Sequence, residues 1–104
     1  MAFTGSEGKA IDPNKAALWT RNYREANPGG LQARFFGREI LLALLNQPGC
    51  EGVRIYHGLN GTEPQLVAVG ANNEENDQLG EGFLVADETM KGPPHSGQPN
   101  MLNS

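Results

Sequence analysis

Cys50 and His57 are the two side chains whose types could form a nucleophile and its base. A cysteine–histidine pair needs the imidazole within hydrogen-bond reach of a thiol whose surroundings favour the thiolate. The two residues are seven positions apart, and an extended strand at roughly 3.3 Å per residue would separate them by about 20 Å. The spacing argues against a direct pair within one subunit. We expect Cys50 to be a small buried residue after a helix, and no catalytic residue is predicted.

Metal ligands are sparse. Zinc needs three or four Cys, His or carboxylate ligands in a fixed geometry, whereas Cys50, His57 and His95 show no paired short spacing. The segment Asn72–Asp77 offers the oxygen ligands that Ca²⁺ prefers, but it lacks the alternating acidic register and the glycine of an EF-hand loop. A solvated turn is the favoured interpretation of this segment, and no cofactor is predicted.

Arg54, Tyr56 and His57 are the candidates for a ligand-binding site. Period-two alternation along a strand places Arg54 and Tyr56 on one face and His57 on the other. The face with Arg54 and Tyr56 must meet either water or a partner, which makes these two residues the better surface candidates. A small ligand- or ion-binding module that uses the three residues and the Asn72–Asp77 turn is therefore one alternative function.

A first helix is predicted over Pro13–Ala26. Asp12 is a typical N-cap residue, and the proline after it is favoured at the first helical position. Trp19 and Tyr23 recur at helical spacing, and the sequence NPGG then ends the helix. The two aromatic residues have the spacing of a ligand platform, but a core stripe is the more typical role of such a pair.

A second helix is predicted over Leu31–Asn46, before a Pro-Gly break. Its apolar residues form two stripes, with Phe35 and Leu42 on one and Phe36 on the other. A helix with so wide an apolar arc is expected to be buried on two sides. One side would pack within the chain, and the other side suggests a second subunit.

The segment after this helix predicts a β-hairpin. Residues 53–59 and Gln65–Ala71 form two β-branched runs around Asn60-Gly61, a strong hairpin signal. Phe83–Ala86 is a candidate third strand. The predicted fold class is therefore α+β, with two N-terminal helices followed by a β-hairpin and an extended C-terminal tail.

We expect a single small domain over residues 1–90 and an extended tail over residues 91–104. The tail, KGPPHSGQPNMLNS, is rich in proline and glycine and has no hydrogen-bonded structure of its own. Its apolar anchors are Met101 and Leu102. We expect them to lie in a shallow apolar pocket of the same subunit or of a neighbouring one.

Composition restricts the class of function. The 104 residues carry a net charge of −4, and the arginines form no run, which disfavours nucleic-acid binding. No stretch has the length of a transmembrane helix, and the first residues lack the pattern of a signal peptide. Cys50 is the single cysteine, which fits a reducing compartment. We expect a cytoplasmic protein that does not bind membranes.

The stretch FFGREILLALLNQPGCEGVRIYHGLN, followed by LVAVG and an acidic turn rich in asparagine, resembles a family of small, uncharacterised bacterial proteins. The resemblance covers about residues 10–104 and implies a fold rather than an activity. Members of the family often carry cysteines around the tail prolines. This chain has Pro93-Pro94-His95-Ser96 there and no cysteine, which weakens a metal or disulfide interpretation of the tail.

The favoured function is that of a non-enzymatic structural or interaction protein, because the chain is too short to cover both apolar faces of its second helix. We expect a homo-oligomer, with a different protein partner as the alternative. Its self-association residues are predicted to be Phe35, Phe36, Leu42, Met101 and Leu102. A ligand- or ion-binding module and an accessory enzyme with an intersubunit site remain as second and third interpretations.

Overall fold

The computed structural model describes residues 2–87 and 89–103, which contain two helices and five strands. In chain order these are α1 (Pro13–Ala26), β1 (Ala33–Phe35), α2 (Arg38–Leu45), β2 (Cys50–Asn60), β3 (Glu63–Asn72), β4 (Val85–Ala86) and β5 (Met90–Gly92). They belong to two compact units. The first comprises Met1–Glu7 and Phe36–Thr89, and the second comprises Gly8–Phe35 and Met90–Ser104.

Helix α1, in the second unit, lies where the sequence predicts it. Asp12 has an extended backbone, and its Oδ1 accepts a hydrogen bond from the backbone N–H of Asn14 at 2.9 Å, while Pro13 begins the helix. At the other end, the backbone N–H and the side-chain amide of Asn27 both donate to the carbonyl oxygen of Tyr23. The prediction of this helix and of its two ends is confirmed.

The second helix is shorter than predicted. α2 begins at Arg38, and the residues just before it include strand β1, which pairs antiparallel with β5. Gly37, a poor helix former, has an extended backbone and is the N-cap of α2. The expectation of one continuous helix over Leu31–Asn46 is therefore wrong, because its first third bonds to a distant strand.

The predicted fold class is also wrong. The chain forms a two-stranded sheet (β1-β5) and a three-stranded sheet (β2-β3-β4), and it is mostly β.

The tail is not simply extended: its start belongs to β5, and Asn103 Nδ2 donates to the carbonyl oxygens of Ser96 and Gln98 at 3.0 and 3.3 Å. The domain boundary at residue 90 stays a prediction. Within the described residues, neither helix is long and apolar enough to cross a membrane.

The hairpin dominates the first unit. β2 and β3 pair antiparallel from Gly52 opposite Ala71 to Asn60 opposite Glu63, with an irregularity just after Cys50. This pairing confirms the predicted hairpin. β4 supplies the candidate third strand as two residues on the far side of β3, so β2 lies at the edge of the sheet.

Helix α2 covers one end of one face of this sheet. Leu44 is fully buried, at 0% exposure, and clusters with Ala68 and Ala86. Three half-buried side chains pack against the cluster, namely Phe36, Ile40 and Val53. Strand alternation places Ile55 and Leu59 farther along the same face, where both are exposed.

Candidate functional site

Arg54 and Tyr56 lie on one face of the hairpin, and both contact Asp77. Arg54 Nη1 donates to Asp77 Oδ1 at 2.6 Å, and the Tyr56 hydroxyl donates to Asp77 Oδ2. Arg54 and Tyr56 lie on β2. The turn after β3 places Asp77 beside them, because Asp77 forms an antiparallel bridge with Ala71. These three residues form a polar cluster, the Arg54 cluster, in which both carboxylate oxygens accept hydrogen bonds.

Two further groups hold Arg54 in place. Its Nη1 also donates to the carbonyl oxygen of Glu75 at 3.2 Å, and its guanidinium carbon lies 5.3 Å from the centroid of the Phe3 ring, within the range of a cation–π contact. The backbone N–H of Phe3 donates to the carbonyl oxygen of Asn73 at 2.8 Å. The hydrogen bond with Asp77 raises the pKa of Arg54, so the guanidinium stays charged at physiological pH.

A groove of about 340 Å³ opens beside the Arg54 cluster. Phe3 contributes an aromatic wall, Arg54 a positive charge, and Glu7 and Glu51 carboxylates. The backbone N–H of Thr4 donates to the Glu7 carboxylate and lowers the pKa of that group, so it is ionised at neutral pH. The groove therefore combines both signs of charge with apolar surface, a composition that suits a small zwitterionic molecule.

His57 does not join the Arg54 cluster. It lies opposite Leu66 in the hairpin register and, by strand alternation, on the other face from Arg54 and Tyr56. Its side chain is exposed. The structure thus brings together two of the three predicted ligand-binding residues, and ligand binding itself stays a prediction.

Cys50 and the acidic turn are occupied by local hydrogen bonds. Cys50 Sγ donates to the carbonyl oxygen of Gly52 at 3.1 Å, and His57 lies seven residues farther along the same strand. Within the Asn72–Asp77 turn, Asn72 Oδ1 accepts from two backbone amides at 3.0 and 3.1 Å. Across the described chain, no three His, Cys, Asp or Glu side chains gather closely enough to hold a metal ion.

Two buried glutamines, which sequence analysis missed, close one end of the hairpin. Gln47 and Gln78 are 9% and 6% exposed, and Gln47 Nε2 donates to Gln78 Oε1 at 3.3 Å. Gln78 Nε2 donates to the carbonyl oxygen of Pro48 at 2.8 Å. The backbone N–H of Gln78 donates to the carbonyl oxygen of Gly70 at 2.8 Å. Gln47 Oε1 accepts from the backbone N–H of Leu84 at 2.7 Å. These bonds join the end of α2, β3 and the segment before β4.

Gly70 allows β3 to pass close to this glutamine pair. A Cβ atom at Gly70 would lie 2.6 Å from Gln78 Oε1, 2.9 Å from Gln47 Nε2 and 3.1 Å from Cys50 Sγ. A glutamine in a loop is ordinarily exposed, so the types of Gln47 and Gln78 carry no signal of burial. The glycine inside a predicted strand is the one available hint, because such a residue often marks a close approach.

The predicted self-association residues of the first unit differ in exposure. Phe36 packs against the Leu44 cluster and is half-buried, whereas Leu42 on α2 is 47% exposed. Leu45, one turn farther along, is also exposed. Leu42 therefore remains available for an interface, while Phe36 already serves the core.

The other predicted residues belong to the second unit. Phe35 lies on β1 and is 64% exposed. Leu102 lines a small cavity of about 180 Å³ together with Trp19 and Tyr23, and its carbonyl oxygen accepts from Arg24 Nη1 at 2.6 Å. Both tail anchors, Leu102 and Met101, are exposed to about half. The tail thus meets α1 of its own chain through Leu102.

Known proteins add no assignment to this geometry. Comparison with known protein families, with curated proteins and with solved structures found no match. The resemblance to small bacterial proteins therefore stays a prediction.

Proposed function

We propose that the chain is a non-enzymatic interaction protein that self-associates through the apolar side of α2 and through the hairpin. The observation that carries the proposal is the thin core. Among the described residues, Leu44 is the one large side chain that is fully buried, and the other buried apolar side chains are Ala17, Ala68, Val69, Ala71 and Ala86. Many large apolar side chains are exposed instead, and extensive exposed apolar patches are uncommon on monomers.

Four exposed side chains of the first unit define the proposed surface, the α2–hairpin surface: Leu42, Leu45, Ile55 and Leu59. The two leucines of α2 are three positions apart and so share one side of the helix. Ile55 and Leu59 continue the sheet face that α2 covers at one end. A second copy would bury apolar groups that this chain cannot cover alone.

Static light scattering over a micromolar concentration series tests the proposal. We expect a mass above that of one chain, and we expect Leu42→Gln to shift assembly to higher concentration. Leu18→Gln is the matched control, because Leu18 is also a half-exposed helix leucine but lies on α1. A mass of one chain throughout the series, or equal effects of the two substitutions, would contradict the proposed surface.

A cytoplasmic location and a lack of nucleic-acid binding are parts of the same proposal. Cys50 is a free thiol, which suits a reducing compartment, and the net charge of −4 disfavours attraction to phosphates. Cell fractionation with a tagged chain tests the location. Recovery in an oxidising compartment would contradict it.

A small-molecule binding module is the second candidate, and the groove beside the Arg54 cluster favours it. Arg54 would face a ligand carboxylate, and Glu51 would face an ammonium group. A thermal-shift panel of free amino acids tests this candidate, with Glu51→Gln expected to lower any response. Asp87→Asn is the control, because Asp87 is exposed and does not line the groove. If no amino acid raises the melting temperature, the candidate is rejected.

A further inference from the structure

The free edge of β2 is the longest unpaired strand edge of the three-stranded sheet. Among the described strands, β2 has 11 residues and neighbours only β3, whereas β4 at the opposite edge has two residues. The N-terminal segment approaches β2 at its start, where a Cβ atom on Gly5 would lie 3.3 Å from the carbonyl oxygen of Glu51. Beyond that point, residues 53–59 make no backbone hydrogen bond within the described chain other than those to β3.

The register shows which backbone groups point outward from β2. Gly70 accepts a hydrogen bond from the backbone N–H of Gln78, and Asn72 donates one to Asn76, so both β3 residues point away from β2. Backbone groups alternate in direction along a strand. Counting back from Gly70, the backbone groups of Val69 and Val67 therefore point towards β2, where these residues lie opposite Arg54 and Tyr56.

It follows that the alternate residues of β2 have their N–H and C=O groups at the open edge: Val53, Ile55, His57 and Leu59. Long edges with such groups are templates for pairing, and natural proteins commonly protect them with lysine, proline or a covering element. Residues 53–59, VRIYHGL, contain neither lysine nor proline. The middle and far end of this edge therefore lack these two protective residue types.

We infer that the β2 edge pairs antiparallel with the β2 edge of a second copy, with Tyr56 on the twofold axis, to form one continuous six-stranded sheet. This inference rests on the proposed self-association and specifies the geometry of its hairpin part. With Tyr56 on the axis, Val53 lies opposite Leu59 of the second copy and Ile55 opposite His57. Every outward group between residues 53 and 59 then has a partner, which gives about eight backbone hydrogen bonds, two for each hydrogen-bonded pair.

The second copy is the occupant because the strand is complementary to itself about this axis. The sheet face that α2 partly covers would gain the cross-strand apolar pair Val53–Leu59 twice, and such pairs stabilise antiparallel sheets. On the other face, Arg54 would lie opposite Gly58, so no like charges face each other. A closed twofold contact of this kind also limits the assembly to a dimer.

Disulfide trapping tests the register. In a Cys50→Ser background, Tyr56→Cys places two thiols on the axis as a non-hydrogen-bonded pair, with Cα atoms about 4.5 Å apart, within the range of a disulfide. Leu59→Cys is the matched control, because its two copies would be about 20 Å apart at roughly 3.3 Å per residue. We expect a covalent dimer from Tyr56→Cys under mild oxidation and no covalent dimer from Leu59→Cys.

Ile55→Pro provides a second, independent measurement. The Ile55 N–H points outward, so proline removes a bond of the intermolecular ladder and none between β2 and β3. We expect the dissociation constant of the dimer to rise at least about tenfold, with a circular dichroism spectrum like that of the original chain. Tyr56→Pro, which removes an N–H that faces β3, should unfold the hairpin instead.

The outcomes separate this inference from the proposed function. If light scattering gives a dimer but neither Tyr56→Cys nor Ile55→Pro behaves as expected, the edge pairing is overturned and self-association stands. Equal trapping at residues 56 and 59 also overturns the register. A mass of one chain at all concentrations overturns both the pairing and the proposed function.

Discussion

The two ends of the β2–β3 hairpin differ in how completely their groups are satisfied. At the end of the hairpin away from its turn, which we call the closed end, Gln47, Gln78 and Gly70 lie in a network of hydrogen bonds next to the buried Leu44. At the end next to the turn, which we call the open end, Leu59 is 74% exposed, and β2 has a free backbone edge. The contacts that stabilise the first unit and the groups that are available to a partner therefore lie in separate parts of one hairpin.

Side-chain size explains part of the difference. β3 carries Ala68, Gly70 and Ala71 at the closed end, and such small residues let the helix and the loops approach the sheet closely. At the open end, Leu59 and Tyr56 are large, and no helix in the described part of this unit covers them. The closed end can therefore bury polar groups with their partners, while the open end can bury its apolar groups only against a second surface.

Leu44→Ala should have the largest effect on the closed end. Leu44 is fully buried against Ala68 and Ala86, so truncation leaves a cavity and should lower the free energy of unfolding by about 2–5 kcal/mol. Urea denaturation followed by circular dichroism measures this change. Leu79→Ala is the control, because Leu79 is exposed and lies outside the α2–hairpin surface. Equal losses in the two variants would contradict the proposed core.

Gly70→Ala should be the next most damaging change. Its Cβ atom would lie closer than 3 Å to both glutamine amides, and overpacking of this kind typically costs about 1–3 kcal/mol. Gly52→Ala is the matched control on the neighbouring strand, where a Cβ atom would meet nothing within 4 Å. A Gly70→Ala variant as stable as Gly52→Ala would show that the glutamine pair yields without cost.

Gln47→Met should destabilise the closed end by a similar or smaller amount. Methionine preserves the length of the side chain but leaves the Leu84 N–H and Gln78 Oε1 without their Gln47 partners. An unsatisfied buried polar group costs about 1–3 kcal/mol. If the two glutamines act as a unit, the double variant Gln47→Met, Gln78→Met should lose less than the sum of the single losses in urea denaturation. Strict additivity would indicate that the pair is not coupled.

Local signals along the chain predict the elements that local chemistry determines. The first helix follows from Asp12-Pro13 and the hairpin from alternation around Asn60-Gly61, and the structure confirms both. Strand β1 escapes prediction because its three residues bond to β5, far along the chain, and such pairing overrides a helical pattern of apolar residues.

The same limit applies to the candidate site. Alternation is sufficient to place Arg54 and Tyr56 on one face, but the partner that joins them, Asp77, arrives through the geometry of a turn. Nothing in the local pattern predicts that return. The burial of Gln47 and Gln78 is likewise a product of tertiary packing, because the polarity of these residues predicts exposure.

Leu59→Thr should have the smallest effect on the folded monomer and a distinct effect on assembly. Threonine is β-branched, as strands favour, and Leu59 is 74% exposed, so the free energy of unfolding measured at high dilution should change by no more than about 0.5 kcal/mol. In the original chain, self-association should make the melting temperature rise with protein concentration. Leu59→Thr removes an apolar group from the proposed interface, so this dependence should become shallower. A loss at high dilution as large as that of Gly70→Ala would show that the open end is packed within the chain, and the contrast between the two ends would fail.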